Sequence, residues 1–130
     1  MGTNWKLVLA ALAGVVVGAA GIETLSAQVT PTKAPPAYLI AEIEVTDPEG
    51  YKKYQDGVSS VLAASGGRFL VRGGKSIALD GAPPKRIALI AFDSMEKAQA
   101  WYNSPAYQKI APVRQSVAKT NSFMVEGPTN

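Results

Sequence analysis

The chain contains no cysteine and no histidine. Their absence excludes thiolate nucleophiles, disulfides, Ser-His-Asp triads, histidine-ligated haem and nearly all zinc sites. It also removes the side chain whose ordinary pKa lies nearest to neutrality, so acid–base catalysis would need a Glu, Asp, Lys or Tyr with a shifted pKa. No acidic residues cluster at the spacing of a metal site. The sequence therefore predicts no metal and no cofactor, and it identifies no catalytic residue.

A concentrated charge of one sign is also lacking. Lys and Arg number 13 and Asp and Glu 10 among 130 residues, which gives a net charge of +3. These charges are spread along the chain without a basic run or interleaved aromatic residues, so nucleic acid is not predicted as a partner. The hydrophobic fraction of 47% is ordinary for a globular protein, and the length has room for one domain.

The N-terminus carries an uncharged, mostly apolar run over residues 7–22, preceded by Lys6 and followed by the small-residue stretch Leu25-Ser26-Ala27. This pattern is typical of a secretory signal peptide. As a helix the run would span about 24 Å, less than the roughly 30 Å of a membrane's hydrocarbon core. The favoured interpretation is that residues 1–27 are cleaved and the mature protein is periplasmic or secreted, with no stable membrane span. The alternatives are an uncleaved anchor and a buried helix of a soluble domain.

Cleavage of this signal can be tested directly. Because small residues precede the proposed cut, we expect intact-mass measurement on protein from the cell envelope to show a chain that begins near Gln28. Full-length protein in the membrane fraction would instead identify residues 7–22 as a permanent anchor.

Residues 28–37, QVTPTKAPPA, are rich in Pro and Thr without an apolar period and predict an extended linker. The folded domain is expected over residues 38–126, with residues 127–130 as a tail. Periodicity predicts strands over residues 38–46, 68–72, 86–92 and 121–126. The predicted order βαββαβ is that of a ferredoxin-like α+β domain, with a four-stranded antiparallel sheet and its helices on one face.

Capping signals mark the predicted helices. Asp47 followed by Pro48 starts the first helix, and Asp93 with Glu96 three residues later has the spacing of a capping box for the second. Ser104 before Pro105 is typical of an N-cap, and no histidine exists to activate it as a nucleophile. Pro112 is expected to kink or end the helix that follows.

The third predicted strand, RIALIAF over residues 86–92, is apolar on both of its faces. Helices on one side of the sheet leave the other side open, an area of roughly 300 Å² in projection for four strands of ordinary length. An apolar patch of that size is usually buried against another surface. The simplest such surface is the same face of a second copy, which predicts a homodimer in which two sheets form a barrel around a two-fold axis.

The stretch GGRFLVRGGKS, residues 66–76, ends like a phosphate-binding P-loop in Gly74-Lys75-Ser76. The complete motif needs another glycine five positions before Gly74, where this chain has Phe69. The following residues IALDG are not helical in pattern, so no helix N-terminus would meet a phosphate. Gly73 and Gly74 are instead expected to mark a bulge or a close backbone approach.

Four segments together carry a family resemblance: TDPEGYKKY, GGRFLVRGG, a Leu-Asp-Gly turn, and FDSMEKAQAWYNSPAYQKIAPVR. They resemble the DUF1330 family, small proteins of the dimeric α+β barrel superfamily whose biochemical role is undefined. The resemblance covers residues 38–126, and the paired glycines and the Trp-Tyr-Asn-Ser-Pro-x-Tyr run are its most specific parts. It implies the barrel dimer and supplies no mechanism.

Candidate ligand-binding residues lie on two predicted helices and two predicted strands. Arg114 follows Tyr107 at helical spacing on an otherwise apolar stripe, where a cation can orient a carboxylate or enolate. The alternative is an arginine whose stem covers the core while its head pairs with Glu42, Glu44 or a helix C-terminus. Trp101, just before this helix, either packs in the core or dimer interface or stacks on the ligand.

Glu42 and Arg72 are expected to share a sheet face, because alternation places Arg72 opposite Phe69. On that face they would form the polar floor of an apolar cleft, or else act as edge charges that deter aggregation. A cleft that combined Arg72 and Arg114 with aromatic walls would prefer small aromatic or enolic anions to nucleotides.

Three functions of different classes remain open. The first is binding of a small organic ligand, a small organic anion included, in a mostly apolar cleft. The second is a cofactor-free oxygenase or isomerase, by analogy of fold. The third is a structural dimer without a pocket. An arginine beside an aromatic in a cleft favours the first two, and a carboxylate of raised pKa beside them favours the second.

Overall fold

The computed structural model describes residues 32–129, so the signal peptide expected over residues 1–27 lies outside the described residues. Strands and helices alternate in an α+β arrangement whose bounds are β1 Ala37–Val45, α1 Pro48–Ala64, β2 Arg68–Arg72, β3 Arg86–Phe92, α2 Met95–Tyr102, α3 Pro105–Val117 and β4 Ala118–Glu126. Within residues 32–129, none of the helices has the length and apolar character needed to cross a bilayer.

The strands form one antiparallel sheet in the order β2-β3-β1-β4. Alternate residues of β1, from Ala37 to Ile43, are buried together with the inward stripe of α1 and with Trp101 and Tyr107 of the other two helices. The helices therefore cover one face of the sheet, which confirms the ferredoxin-like α+β fold.

The helix starts follow local capping chemistry, with one correction. Asp47 accepts a hydrogen bond from the Gly50 N–H at 3.2 Å, and Ser104 accepts one from the Tyr107 N–H at 3.2 Å. The capping box predicted at Asp93 is wrong by one residue, because the Ser94 hydroxyl accepts from the Lys97 N–H at 3.2 Å. Asp93 instead pairs with the Lys97 side chain at 3.3 Å.

The third helix continues through Pro112 and ends at Val117. Of the two expected effects of Pro112, a kink or an end, the end does not occur, because a proline removes one N–H donor whereas the buried residues Tyr107, Ala111 and Val117 hold the helix against the core. As a consequence Arg114 remains on the helical stripe that begins at Tyr107.

The second strand is irregular. Its pairing with β3 shifts between Phe69 and Val71, so Phe69 lies opposite Ile90 and Arg72 lies opposite Ala88, both on the helix-covered face. This bulge reverses the alternation, and the prediction that Arg72 lies opposite the Phe69 side is therefore wrong. Residues 73–85 after it contain no helix, so no helix N-terminus follows the Gly74-Lys75-Ser76 triplet.

The uncovered sheet face is apolar at its centre. Val71, Leu89, Ile40 and Phe123 form one row across all four strands. At the two edges of the row Val71 is 38% exposed and Phe123 50% exposed. The prediction that both faces of β3 are apolar is confirmed, since Leu89 belongs to this row while its neighbour Ile90 is buried under the helices.

Candidate functional site

A hollow lies between the sheet and the helices, above three small side chains. Ala41 of β1 pairs with Ala88 of β3 on one side and with Ser122 of β4 on the other, so the three form one cross-strand row. The neighbouring rows carry Ile43 and Leu39, which reach further towards the helices. The short side chains leave a cavity of about 40 Å³ above them.

Aromatic side chains from all three helices form the walls. The Tyr51 and Tyr54 rings of α1 are 5.8 Å apart, and the Trp101 ring of α2 lies 4.3 Å from the Tyr107 ring of α3. Burial raises the pKa of Tyr54 far above its ordinary value; Tyr107 adds to this effect, and the Arg114 charge partly opposes it. Tyr54 therefore stays a neutral phenol, able to donate or accept a hydrogen bond.

Three arginines line the same cavity: Arg72, Arg86 and Arg114. Arg72 donates to the Gln55 carbonyl at 2.8 Å and lies over the Phe69 ring, with 4.7 Å between its Cζ and the ring centroid. The Arg86 Cζ is 5.4 Å from the centre of the Tyr51 ring. These contacts hold the guanidinium groups by carbonyl oxygens and ring faces rather than by carboxylates.

No carboxylate of residues 32–129 balances these cations. The lining contains neither Asp nor Glu in the described part of the chain. The ion pairs found there, Lys85–Glu44 at 2.8 Å and Lys97–Asp93 at 3.3 Å, involve none of the three arginines. Nor do Asp and Glu residues within this range gather in groups that could hold a metal. The cavity is thus cationic and mostly apolar.

The buried polar atoms without a hydrogen-bond partner, among the described residues, all belong to side chains that line this cavity. They are Arg86 Nε, Trp101 Nε1, Arg114 Nε and Thr120 Oγ1. Three of the four are N–H donors that cannot accept. A buried donor without a partner costs roughly 1–3 kcal/mol.

Gly73 lies directly against Arg86. Its backbone has a φ of +73°, and a Cβ placed on it would be 2.6 Å from Arg86 Nη1 and 2.8 Å from Cζ. The close approach expected at Gly73 and Gly74 is confirmed at Gly73, where the partner is an arginine of the same chain, whereas a Cβ on Gly74 would meet nothing within 4 Å. The bulge lies earlier in β2, between Phe69 and Val71.

The structure brings most of the predicted ligand-binding residues together. Arg72, Trp101, Tyr107 and Arg114 all line the cavity. Glu42 does not, because it lies on the uncovered face and accepts a hydrogen bond from Asn121 Nδ2 at 3.3 Å. The prediction that Glu42 and Arg72 form a shared polar floor is therefore wrong, because the β2 bulge places Arg72 on the helix-covered face whereas Glu42 lies on the uncovered face.

Other residues of the cavity were not predicted. Arg86 and Thr120 lie in one cross-strand row with Ile43 between them, and the small floor residues form the next row. Such rows depend on strand register, for which the sequence has no local signal. The Glu44 carboxylate, one alternative partner for Arg114, instead binds Lys85, which lowers the pKa of Glu44.

Comparisons with known proteins bear on the fold and the family. Comparison with curated proteins finds no match. Among solved structures, a protein of unknown function from Rhodopseudomonas palustris has 15% identity and a TM-score of 0.61, over 74% of this chain and 85% of that one. A dimeric ferredoxin-like protein of unknown function from Thermobifida fusca has 13% identity and a TM-score of 0.54, over 73% and 93%. SnoaB, a cofactor-independent oxygenase from Streptomyces nogalater, has 9% identity and a TM-score of 0.53, over 75% and 97%.

At these identities the structural likeness shows a shared fold and no shared chemistry. The sequence match is more specific, because the model of the family described as "Domain of unknown function (DUF1330)" matches residues 36–128, the whole span from β1 to just beyond β4. The chain belongs to the DUF1330 family.

Proposed function

We propose that this protein is exported to the periplasm or the extracellular space and acts as a homodimer that binds a small organic anion in the cavity between its sheet and helices. The observation that carries the proposal is that three arginines, Arg72, Arg86 and Arg114, line one mostly apolar cavity whose described lining contains no carboxylate. An anionic ligand would balance the arginine charge there.

A purely structural dimer explains this arrangement less well. Stability alone would favour filling the space above Ala41 and Ala88 with larger apolar side chains, because cavities and unpaired buried donors both cost free energy. The chain instead keeps small residues on the floor and cations in the lining. That combination is typical of a ligand site, where apolar walls are joined by a few convergent polar groups.

Binding is also favoured over catalysis. SnoaB acts as a cofactor-independent oxygenase on a similar fold, but a base that removes a proton from an electron-rich substrate has no counterpart among the described cavity residues. Their lining lacks a carboxylate, and the raised pKa of Tyr54 keeps its phenol from serving as a base near neutral pH. Oxygen consumption on addition of an enolic substrate would reverse this preference.

The homodimer part of the proposal rests on the uncovered face. The row Val71, Leu89, Ile40 and Phe123 is apolar and partly solvent-exposed in the single chain. A second copy of the same face would bury it, and the Thermobifida fusca neighbour with this fold is described as dimeric.

Ligand binding can be measured by thermal shift and by mass spectrometry of molecules that copurify with the native protein. We expect small organic anions to raise the melting temperature through binding to the folded state. Replacement of Arg114 by Ala should weaken this binding about 10- to 100-fold, the usual effect of removing a charged hydrogen bond.

Lys109→Ala is the matched control, because Lys109 is an exposed cation on the same helix outside the cavity. Equal loss in both variants would mean that only net charge matters, and an unchanged affinity in Arg114→Ala would contradict the proposed site. Nucleoside triphosphates should give no stabilisation that depends on Lys75, since no helix N-terminus follows the glycine pair.

A further inference from the structure

We infer that Arg68 of each protomer pairs with Glu42 of the partner subunit in the proposed homodimer, and that the two-fold axis passes through the position of Leu89. The inference rests on the homodimer part of the proposed function. It adds which parts of the two sheet faces meet and which charges set their orientation, and it commits the uncovered face to one occupant, a second copy of this chain.

The uncovered sheet face carries two charges without an ionic partner among residues 32–129. Arg68 of β2 is exposed, and the two ion pairs found in that part of the chain involve other residues. Glu42 of β1 is exposed as well, and it accepts a hydrogen bond from Asn121 Nδ2 at 3.3 Å. A neutral amide leaves the carboxylate charge unbalanced, so each residue can still take a partner of opposite sign.

Strand register places both residues on this face. Arg68 lies opposite Ala91 at the start of β2, before the bulge. Its neighbour Phe69 packs against the core under the helices, so Arg68 lies on the opposite, uncovered face. Glu42 lies opposite Ile87 on the same face. Ordinary sheet spacings put the two residues about 16 Å apart, and they do not pair in the single chain.

Leu89 lies midway between Arg68 and Glu42. It is one strand away from Arg68 and two residues further along the sheet, and the same step in the same direction leads from Leu89 to Glu42. A two-fold axis that exchanges the positions of Arg68 and Glu42 must therefore pass through Leu89. One such arrangement forms both Arg68–Glu42 pairs at once and packs Leu89 against Leu89 of the partner subunit.

Charge complementarity favours this arrangement. Arg68 lies on one side of the apolar row that contains Leu89 and Ile40, and Glu42 lies on the other side. A second copy packed on that row removes water from both charges, which is unfavourable unless each meets an opposite charge. Their long side chains can meet across the roughly 10 Å between packed sheets. The pairs thereby fix an orientation that apolar contacts alone leave variable.

Glu44, the next carboxylate along β1 on this face, is a weaker candidate for the partner of Arg68. It binds Lys85 at 2.8 Å and lies opposite Lys119, so cations of the same chain already balance its charge. Glu42 has no such cation among the described residues. It is therefore the carboxylate that Arg68 of a second copy would meet.

The test reverses the two charges. Glu42→Arg and Arg68→Glu each bring like charges together at both symmetric contacts, so each variant should dimerise at least about 100-fold more weakly than the wild type. The double variant that carries both changes restores opposite charges and should dimerise within about tenfold of the wild type. Analytical ultracentrifugation measures these affinities. Lys53→Glu, on the exposed surface of α1, controls for net charge and should leave the dimer intact.

A mixture of the two single variants gives an independent readout. One protomer then offers two arginines and the other two glutamates, so the mixture should form a heterodimer that native mass spectrometry resolves by mass. If the wild type is a dimer but the single variants dimerise equally well, the double variant does not recover, or the mixture gives no heterodimer, the pairing is wrong and the homodimer stands. A wild type that is monomeric at micromolar concentration would overturn both.

Discussion

In the proposed sheet-face dimer, Leu89→Asp is expected to lower the dimer affinity at least several hundredfold and leave a monomer. Leu89 lies near the middle of the apolar row on the uncovered sheet face, with Ile40 beside it. In a face-to-face dimer a carboxylate at this position would be buried opposite apolar side chains without a partner, which costs several kcal/mol. Light scattering or analytical ultracentrifugation at micromolar concentration measures the change.

The matched control for this variant is Val113→Asp. Val113 is an apolar residue 39% exposed on α3, away from the sheet face, so a charge there should leave the dimer intact. The monomeric Leu89→Asp chain should keep its helical and sheet signal, because Leu89 is already partly exposed in the single chain. A wild-type protein that is monomeric at micromolar concentration would contradict the proposed dimer.

The second large effect concerns the core. Leu62→Ala should lower the free energy of unfolding by about 2–5 kcal/mol, the range for leucine truncation in a packed core. Leu62 is only 2% exposed, on the inward stripe of α1, so its loss leaves a cavity beside Phe92 and Gly67. The melting temperature should fall by roughly 10 °C or more for a domain of this size.

Leu79 provides the same substitution at an exposed site. It is 92% exposed in the loop after β2, so Leu79→Ala should change the free energy of unfolding by no more than about 0.5 kcal/mol. Chemical denaturation of both variants at equal protein concentration gives the comparison. A loss in Leu79→Ala as large as in Leu62→Ala would mean that this loop is buried in the dimer, a contact outside the sheet-face model.

Most of the fold could be predicted from the sequence because its signals are local. Alternation marks β1, a continuous apolar run marks β3, helical spacing marks the buried stripe that contains Tyr51 and Leu62, and Pro48 and Pro105 mark helix starts. One error arose where two neighbouring residues give equally strong signals. Asp93 and Ser94 are both good N-caps, and only backbone geometry decides between them.

The candidate site was predicted in part. Tyr107 and Arg114 share a stripe of α3, so their proximity follows from helical spacing, and the short turn between α2 and α3 keeps Trp101 close to Tyr107. Arg72 was predicted on the wrong face, because a bulge inserts one residue and reverses all later side chains of the strand. Glu42 was assigned to the site on the same alternation and lies on the other face of the sheet.

By itself, the sequence determined the element order, the apolar character of both faces of β3 and the absence of histidine and cysteine chemistry, since each of these depends on residue type and short-range spacing. Only the tertiary structure decided that Arg86 and Thr120 line the cavity with Arg114, and that Ala41, Ala88 and Ser122 form its floor. Those residues come from separate strands and a helix, and they meet only through strand register and the packing of the helices on the sheet. No short-range pattern encodes that register, because a shift of one residue moves every side chain of a strand to the opposite face.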